Sequence, residues 1–251
     1  MSRFIKAVLF DLGGTLMYAR HPWPPIEVQA DQALANRLWE QGLDIPPTFA
    51  AEFRARLADY YAQREQSLFE TTYFSVVREM LSERGYPNIA EAIIRSALDA
   101  LYAVTQGNWV LEEDALLTLK VLESGGYRLG LVSNAGDNKD VFQLVERFQL
   151  EPYVDFVLTS AACSYRKPHP RIFELALAHW GIPAREAAMV GDTLDADILG
   201  AQKAGLFSIW ISRRTHPTSE ELARIHPDAR VDALLEIPHL LSGLLNPPPL
   251  S

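Results

Sequence analysis

The stretch Ala7-Val8-Leu9-Phe10-Asp11-Leu12-Gly13-Gly14-Thr15-Leu16 runs four apolar residues into a carboxylate and then into two glycines. Four apolar side chains in a row read as a strand buried on both faces, and Gly13-Gly14 is too flexible to continue it. Asp11 is thereby delivered to the carboxyl end of a strand, the edge at which open α/β sheets bind ligands. A strand also aims a side chain better than a loop does. Gly13, two residues beyond Asp11, offers no side chain to assist it.

Outward from this stretch the chain has two textures. Residues 26–106 carry helical spacing: Val28, Ala33, Leu34 and Leu38, then Phe49, Phe53 and Leu57, then Phe74, Val77 and Leu81. Breaks at Gly42, Pro46-Pro47, Gly85 with Pro87, and Gly107 divide them into four helices of bundle-like length. From Leu111 onward, helices alternate with short apolar runs. The reading is a helix over 111–125, a strand over 128–132, a helix through Phe148, a strand over 155–159 and a helix over 171–180. A strand over 187–190, a helix over 195–204 and a strand over 207–211 complete it, with Pro247-Pro248-Pro249 as an unstructured end. That rhythm predicts an α/β fold, a parallel sheet with helices on both faces, and a helical insertion after the first strand.

Composition narrows the function. With 251 residues, 48% of them hydrophobic, the chain can bury a substantial core. No apolar run approaches the roughly 20 residues that span a bilayer, and Met1 to Lys6 lead straight into a strand, so a cytoplasmic protein is expected. Cys163 is the only cysteine, which rules out an internal disulfide. A net charge of −9 without a basic run argues against nucleic acid or an anionic membrane as partner, leaving small molecules. Oligomeric state is not legible.

Polar residues recur where the apolar runs end: Asp11, then Ser133-Asn134, then Asp192, with Lys167 in the loop Tyr165-Arg166-Lys167-Pro168. Each alone reads equally well as a cap or a turn residue. If the strands are parallel, all of them converge on one edge.

These segments resemble, in order, the four motifs of the haloacid dehalogenase-like hydrolase superfamily, in the branch whose helical cap lies between the first two. The motifs are Phe10 to Leu16, Val132-Ser133-Asn134, Lys167-Pro168-His169-Pro170, and Val190-Gly191-Asp192-Thr193-Leu194-Asp195-Ala196-Asp197-Ile198. The resemblance implies a Rossmann-like core over residues 1–18 and 108–251 and a helical cap domain over 19–107. It implies Asp11 as nucleophile, forming an aspartyl-phosphate intermediate, with Lys167 supplying positive charge. Ser133, Asn134 and Lys167 would hold the substrate, the Asn134 or Ala135 amide adding a donor. Mg²⁺ would sit among the Asp11 carboxylate, the Gly13 carbonyl, Asp192 and Asp197. Asp195 reads instead as a helix-dipole residue, and Asn138 and Lys139 as solvated helix positions.

Gly13 departs from the phosphatase pattern, in which this position carries the aspartate that protonates the leaving oxygen. General acid-base catalysis is worth roughly 10²–10⁴-fold, about 3–5 kcal/mol, so alcohol leaving groups suffer most and acyl or aryl phosphates least. Tyr18, His21 or a cap side chain are candidate replacements. Phosphonate-cleaving relatives need a cap lysine, and none lies between Lys6 and Lys120. Haloacid dehalogenases work without metal, whereas Gly191-Asp192 and Asp197 are retained here. The expectation is a Mg²⁺-dependent phosphatase of a small phosphorylated metabolite. The alternatives are a degenerate domain that binds a phosphorylated ligand or a protein, and a haloacid dehalogenase. Arg54, Arg56 and Arg64 in the cap could reach a substrate carboxylate or phosphate, but a solvated helix face is the reading preferred for them.

Overall fold

Strand β1 (Ala7–Phe10) is buried along its whole length in the computed structural model, which describes residues 4–245. The triple-proline end lies outside the described residues. A short strand β2 (Met17–Ala19) follows, then four helices: α1 (Trp23–Glu40), α2 (Phe49–Ser67), α3 (Tyr73–Glu83) and α4 (Glu91–Asn108). The chain returns through β3 (Trp109–Leu111), antiparallel to β2 with Ala19 opposite Trp109. It then alternates α5 (Ala115–Ser124), β4 (Arg128–Ser133), α6 (Asn138–Arg147), β5 (Phe156–Thr159), α7 (Ser160–Cys163) and α8 (Pro170–Trp180). Last come β6 (Ala187–Gly191), α9 (Leu199–Ala204), β7 (Phe207–Ile211), α10 (Ser219–Arg224), β8 (Ala229–Val231) and α11 (Glu236–Leu245).

Six strands form a parallel sheet in the order β5-β4-β1-β6-β7-β8, with Val8 level with Leu129 on one side and Ala188 on the other. The order reverses at β1, so the carboxyl end of β1 is the crevice where a doubly wound sheet takes its ligand. Alternation along β1 separates the two faces. Val8 and Phe10 pack with Leu119, Leu122 and Val145, whereas Ala7 and Leu9 pack with Phe173, Ala176 and Trp180. This confirms the predicted α/β core and explains its uniformly apolar strands.

The helical insert has a core of its own. Phe49, Phe53 and Leu57, four residues apart on α2, are completely buried and meet Leu34 and Leu38 of α1, Val77 and Leu81 of α3, and Leu98 of α4. Each such side chain contributes about 1.5–3 kcal/mol of transfer free energy. Val28, read from spacing as part of that face, is 67% exposed instead. The buried stripe of α1 runs through Ala30, Asp31, Leu34, Ala35 and Leu38, and Val28 falls outside it. Two further readings change. The helix expected from Leu111 begins at Ala115, because residues 109–111 pair with β2. The helix expected from Asp195 is preceded by a wider π turn over Leu194–Ile198.

Candidate active site

The Asp11 amide donates to the Val190 carbonyl at 2.9 Å, extending the ladder by one residue beyond β1 and fixing the backbone that carries the carboxylate. Asp11 is 8% exposed and its side chain faces Lys167, whose Nζ lies 2.6 Å from Asp11 Oδ1, 2.8 Å from the Val132 carbonyl and 2.7 Å from Asp197 Oδ1. An ammonium has three protons, and three oxygens surround this one. Lys167 therefore anchors Asp11 and acts beyond it through its charge. Asn134 secures the lysine's backbone in turn: the Lys167 amide donates to Asn134 Oδ1 at 2.8 Å and Asn134 Nδ2 donates to the Lys167 carbonyl at 2.9 Å. The Asn134 side chain is thus spent on the loop. The Ala135 amide is likewise taken, donating to Ser160 Oγ at 2.9 Å. Ser133, at the end of β4, is buried, lines the same cavity, and its hydroxyl has no hydrogen-bond partner among the described residues.

Asp192 and Asp197 come from the loop and π turn after β6. The turn separates two acidic residues that sequence spacing leaves close together. Asp197 points inward, is 1% exposed and accepts from the Thr193 amide at 3.0 Å, whereas Asp195 turns outward to Arg224 at 2.6 Å. Gly14 makes room for the other acid. Its φ is +86° and a Cβ there would fall 2.4 Å from Asp192 Oδ2, so both backbone and packing demand glycine.

Oxygens of Asp11, Asp192 and Asp197 lie within 4.8 Å of one another. Three carboxylates against one ammonium leave two formal negative charges in a buried cluster. Burial raises the Asp11 pKa to about 6 even against Lys167, and burial with the two neighbouring aspartates raises Asp192 to about 8. On Lys167 burial opposes the charge, but Asp11 and Asp197 outweigh it and raise its pKa. A group of hard oxygen donors that resists its own ionisation is a fit for a divalent cation.

Above the cluster is a cavity of about 550 Å³ lined by both the sheet edge and the helical insert. Its most consequential wall is Trp109. A Cβ on Gly13 would lie 2.9 Å from Trp109 Cη2, so the indole fills the direction in which a side chain at position 13 would project. Trp23 meets that indole edge-on at 4.9 Å between centroids. Tyr18 and His21 do not line the cavity; Tyr18 instead stacks under Arg214 at 3.7 Å. The arginine face also divides. Arg56 pairs with Glu83 at 2.9 Å outside the cavity, as the preferred reading has it, whereas Arg54 and Arg64 line the cavity, where the alternative reading puts them. Lys139, read as solvated, pairs with Asp99 at 2.7 Å, and Asn138 accepts from Thr159 Oγ1 at 2.8 Å.

One further tie has no sequence signature. Glu70, in the α2–α3 connection, has a completely buried carboxylate that accepts from Arg166 and Ser160 and, at 2.5 Å, from the Tyr60 hydroxyl. Backbone bonds from Arg166 N to Leu68 O and from Glu70 N to Ser164 O, both 2.9 Å, run alongside. The helical insert is thereby fastened to the loop that presents Lys167. Glu70 and Trp109 acquire their positions only by folding.

Known proteins are similar to this chain over most of their length. A ribulose-1,5-bisphosphate 5-phosphatase of Halopiger xanaduensis is 31% identical over 249 residues, covering 94% of this chain and 99% of that protein. A phosphoserine phosphatase of Thermus thermophilus is 30% identical over 223 residues, 86% and 77% of the two chains. Among solved structures, a 2-haloacid dehalogenase from Pseudomonas syringae superposes with a TM-score of 0.67 at 27% identity, covering 95% of this chain and 99% of that one. The family model for haloacid dehalogenase-like hydrolases matches residues 5–205, from the lead into β1 to the glycine that ends α9. The three polar strand ends, the Lys167 loop and the helices inserted between the first two motifs all fall inside that match, and the chain belongs to the haloacid dehalogenase-like hydrolase family.

Proposed function

We propose that the chain is a Mg²⁺-dependent phosphatase that acts on a small phosphorylated metabolite through an aspartyl-phosphate on Asp11. The observation that carries this reading is the buried cluster of Asp11, Asp192 and Asp197, its charge only partly offset by Lys167, on the floor of a cavity of metabolite size. Asp11, Asp192, Asp197 and the Gly13 carbonyl would hold Mg²⁺, which when bound offsets negative charge on the phosphoryl oxygens. The Asp11 carboxylate attacks phosphorus, the bond to the leaving oxygen breaks, and the electron pair departs with that oxygen. Water then attacks the acyl phosphate, releasing inorganic phosphate and restoring the carboxylate. Lys167 holds Asp11 in line, and the free Ser133 hydroxyl is placed to donate to a phosphoryl oxygen. Residues 1–18 and 108–251 serve as the catalytic core and 19–107 as the cap that closes over it.

Gly13 shapes the substrate range. Without a carboxyl at that position, the leaving oxygen departs unprotonated, which favours acyl and aryl phosphates over alkyl esters. Two of the relatives act, by their names, on a sugar bisphosphate and on phosphoserine. A panel of phosphate esters and acyl phosphates with Mg²⁺ tests the reading: turnover that disappears in Asp11→Asn supports it, and no turnover by correctly folded wild type refutes it.

The dehalogenase resemblance favours a second reading, displacement of halide by Asp11. Against it stands the excess negative charge beside Asp11. Halide release from 2-chloropropionate in EDTA would establish it. A third possibility, a non-catalytic phosphate-binding domain, predicts no trapping by aluminium fluoride with Mg²⁺.

A further inference from the structure

Four cationic side chains line the cavity: Arg54, Arg64, Arg166 and Lys167. Three have carboxylate partners. Arg54 clasps Asp31 with two bonds of 2.7 and 2.9 Å and also reaches Glu27, Arg166 is held by Glu70, and Lys167 by Asp11 and Asp197. Arg64 has none among the described residues. Its guanidinium carbon sits over the Tyr61 ring, 3.8 Å from the centroid, and 5.6 Å from that of Tyr60, and the Tyr61 hydroxyl is hydrogen-bonded to that of Tyr73. Of the other arginines of the helical insert, Arg37, Arg56, Arg78, Arg84 and Arg95 are paired with carboxylates, and Arg20 does not line the cavity. Among the cations of the cavity wall, the guanidinium without a carboxylate is thus the one set against an aromatic ring. Stacking uses the face of a guanidinium and leaves its N–H edge directed outward for a planar or tetrahedral anion.

We propose that Arg64 is the specificity-determining residue for a second anionic group, so that the substrate is a bifunctional anion with its phosphoryl group at Asp11 and a carboxylate or second phosphate at Arg64. This rests on the phosphatase reading for the identity of the first group. A neutral sugar phosphate would leave Arg64 unpaired, whereas a phosphorylated acid or a bisphosphate supplies the anionic partner that none of the cavity's own carboxylates gives Arg64. Charge-assisted, bidentate recognition of this kind discriminates strongly against a neutral analogue.

The test is titration calorimetry with Mg²⁺ present, using non-hydrolysable alkylphosphonates that end in a methyl, a carboxylate or a second phosphonate, with matched spacers of several lengths. Wild type is expected to bind at least one dianionic series about tenfold or more tighter than the methyl series. The preferred series tells whether the second group is a carboxylate or a phosphate. Arg64→Met should bring that ratio to near one, Arg64→Lys should keep part of it, and Arg56→Met, outside the cavity, should keep all of it. A wild-type ratio near one, or a ratio that survives Arg64→Met, overturns the Arg64 site while leaving the phosphatase reading intact. A high ratio that depends on Arg64, with no turnover on the ester panel, does the reverse. Absence of phosphonate binding overturns both.

Discussion

Replacing Gly13 by aspartate is the direct way to return a general acid to this site, and the structure predicts that it fails alone. The new Cβ would lie 2.9 Å from Trp109 Cη2, closer than real Cβ contacts, before any carboxyl is added. Pushing a half-buried indole aside is an overpacking event that costs about 1–3 kcal/mol. At roughly 2–4 °C per kcal/mol for a chain of this size, Gly13→Asp should lower the melting temperature by several degrees. The acid itself is worth about 3–5 kcal/mol in the transition state, but only once its carboxyl can reach the leaving oxygen. The double variant Gly13→Asp/Trp109→Leu clears the space. We expect it to raise kcat/KM for an alkyl phosphate by roughly 10²-fold or more over wild type, with an aryl phosphate changing only a few-fold. Gly13→Asp alone should gain far less. The reasoning about Trp109 is refuted if the single variant shows the full alkyl gain with an unchanged melting temperature. If the folded double variant shows no alkyl gain, the missing acid is not what limits turnover.

Two further outcomes follow from the buried acids. Asp11 and Asp192, with pKa values raised to about 6 and about 8 in the metal-free chain, hold protons that a divalent cation must displace. Apparent Mg²⁺ affinity should therefore rise about tenfold per pH unit between 6 and 8, where Asp192 gives up its proton, and a pH-independent thermal shift would contradict this. Asp140 on α6 is raised to about 6, chiefly by burial, with the Gln106 hydrogen bond opposing and Asp137 adding to the rise. Because its folded pKa exceeds the unfolded 3.8, the folded state binds the extra proton, and stability from this group is lost as pH climbs from about 4 to 6. Asp140→Asn should remove that loss, so urea unfolding should show a gap opening over this window to roughly 3 kcal/mol and staying constant above it. A gap that does not vary with pH would show that Asp140 is not the titrating group.

Much of the site was legible because parallel sheets turn sequence order into spatial convergence. An apolar run ending in a polar residue marks a strand's carboxyl end wherever the strands lie parallel, which is why Asp11, Ser133 and Asp192 are brought to one edge. Local reading failed where the deciding contact is distant. Ala135 offers a backbone amide beside the site, yet that amide is taken by the hydroxyl of Ser160, 25 residues away, while the Asn134 side chain binds the backbone of Lys167. Val28 has the spacing of a core residue but falls off the stripe that α4 covers. Arg54, Arg56 and Arg64 share a helix and a residue type, and only tertiary packing separates the two that face the cavity from the one that faces water.

The sequence by itself determined the α/β core, the helical insertion after the first strand, the family, and the absence of a carboxyl two residues beyond Asp11. These depend on periodicity and on motif order, which are properties of adjacent residues. Tertiary structure alone decided that the space beside Gly13 is filled by Trp109, that Lys167 is hydrogen-bonded to Asp11 and Val132 and ion-paired with Asp197, and that Arg64 is left without a carboxylate among the described residues. Each of those facts is a contact between residues 30 or more positions apart, or the lack of one. Nothing in local spacing encodes such a contact until the sheet closes and the insert packs down on its edge.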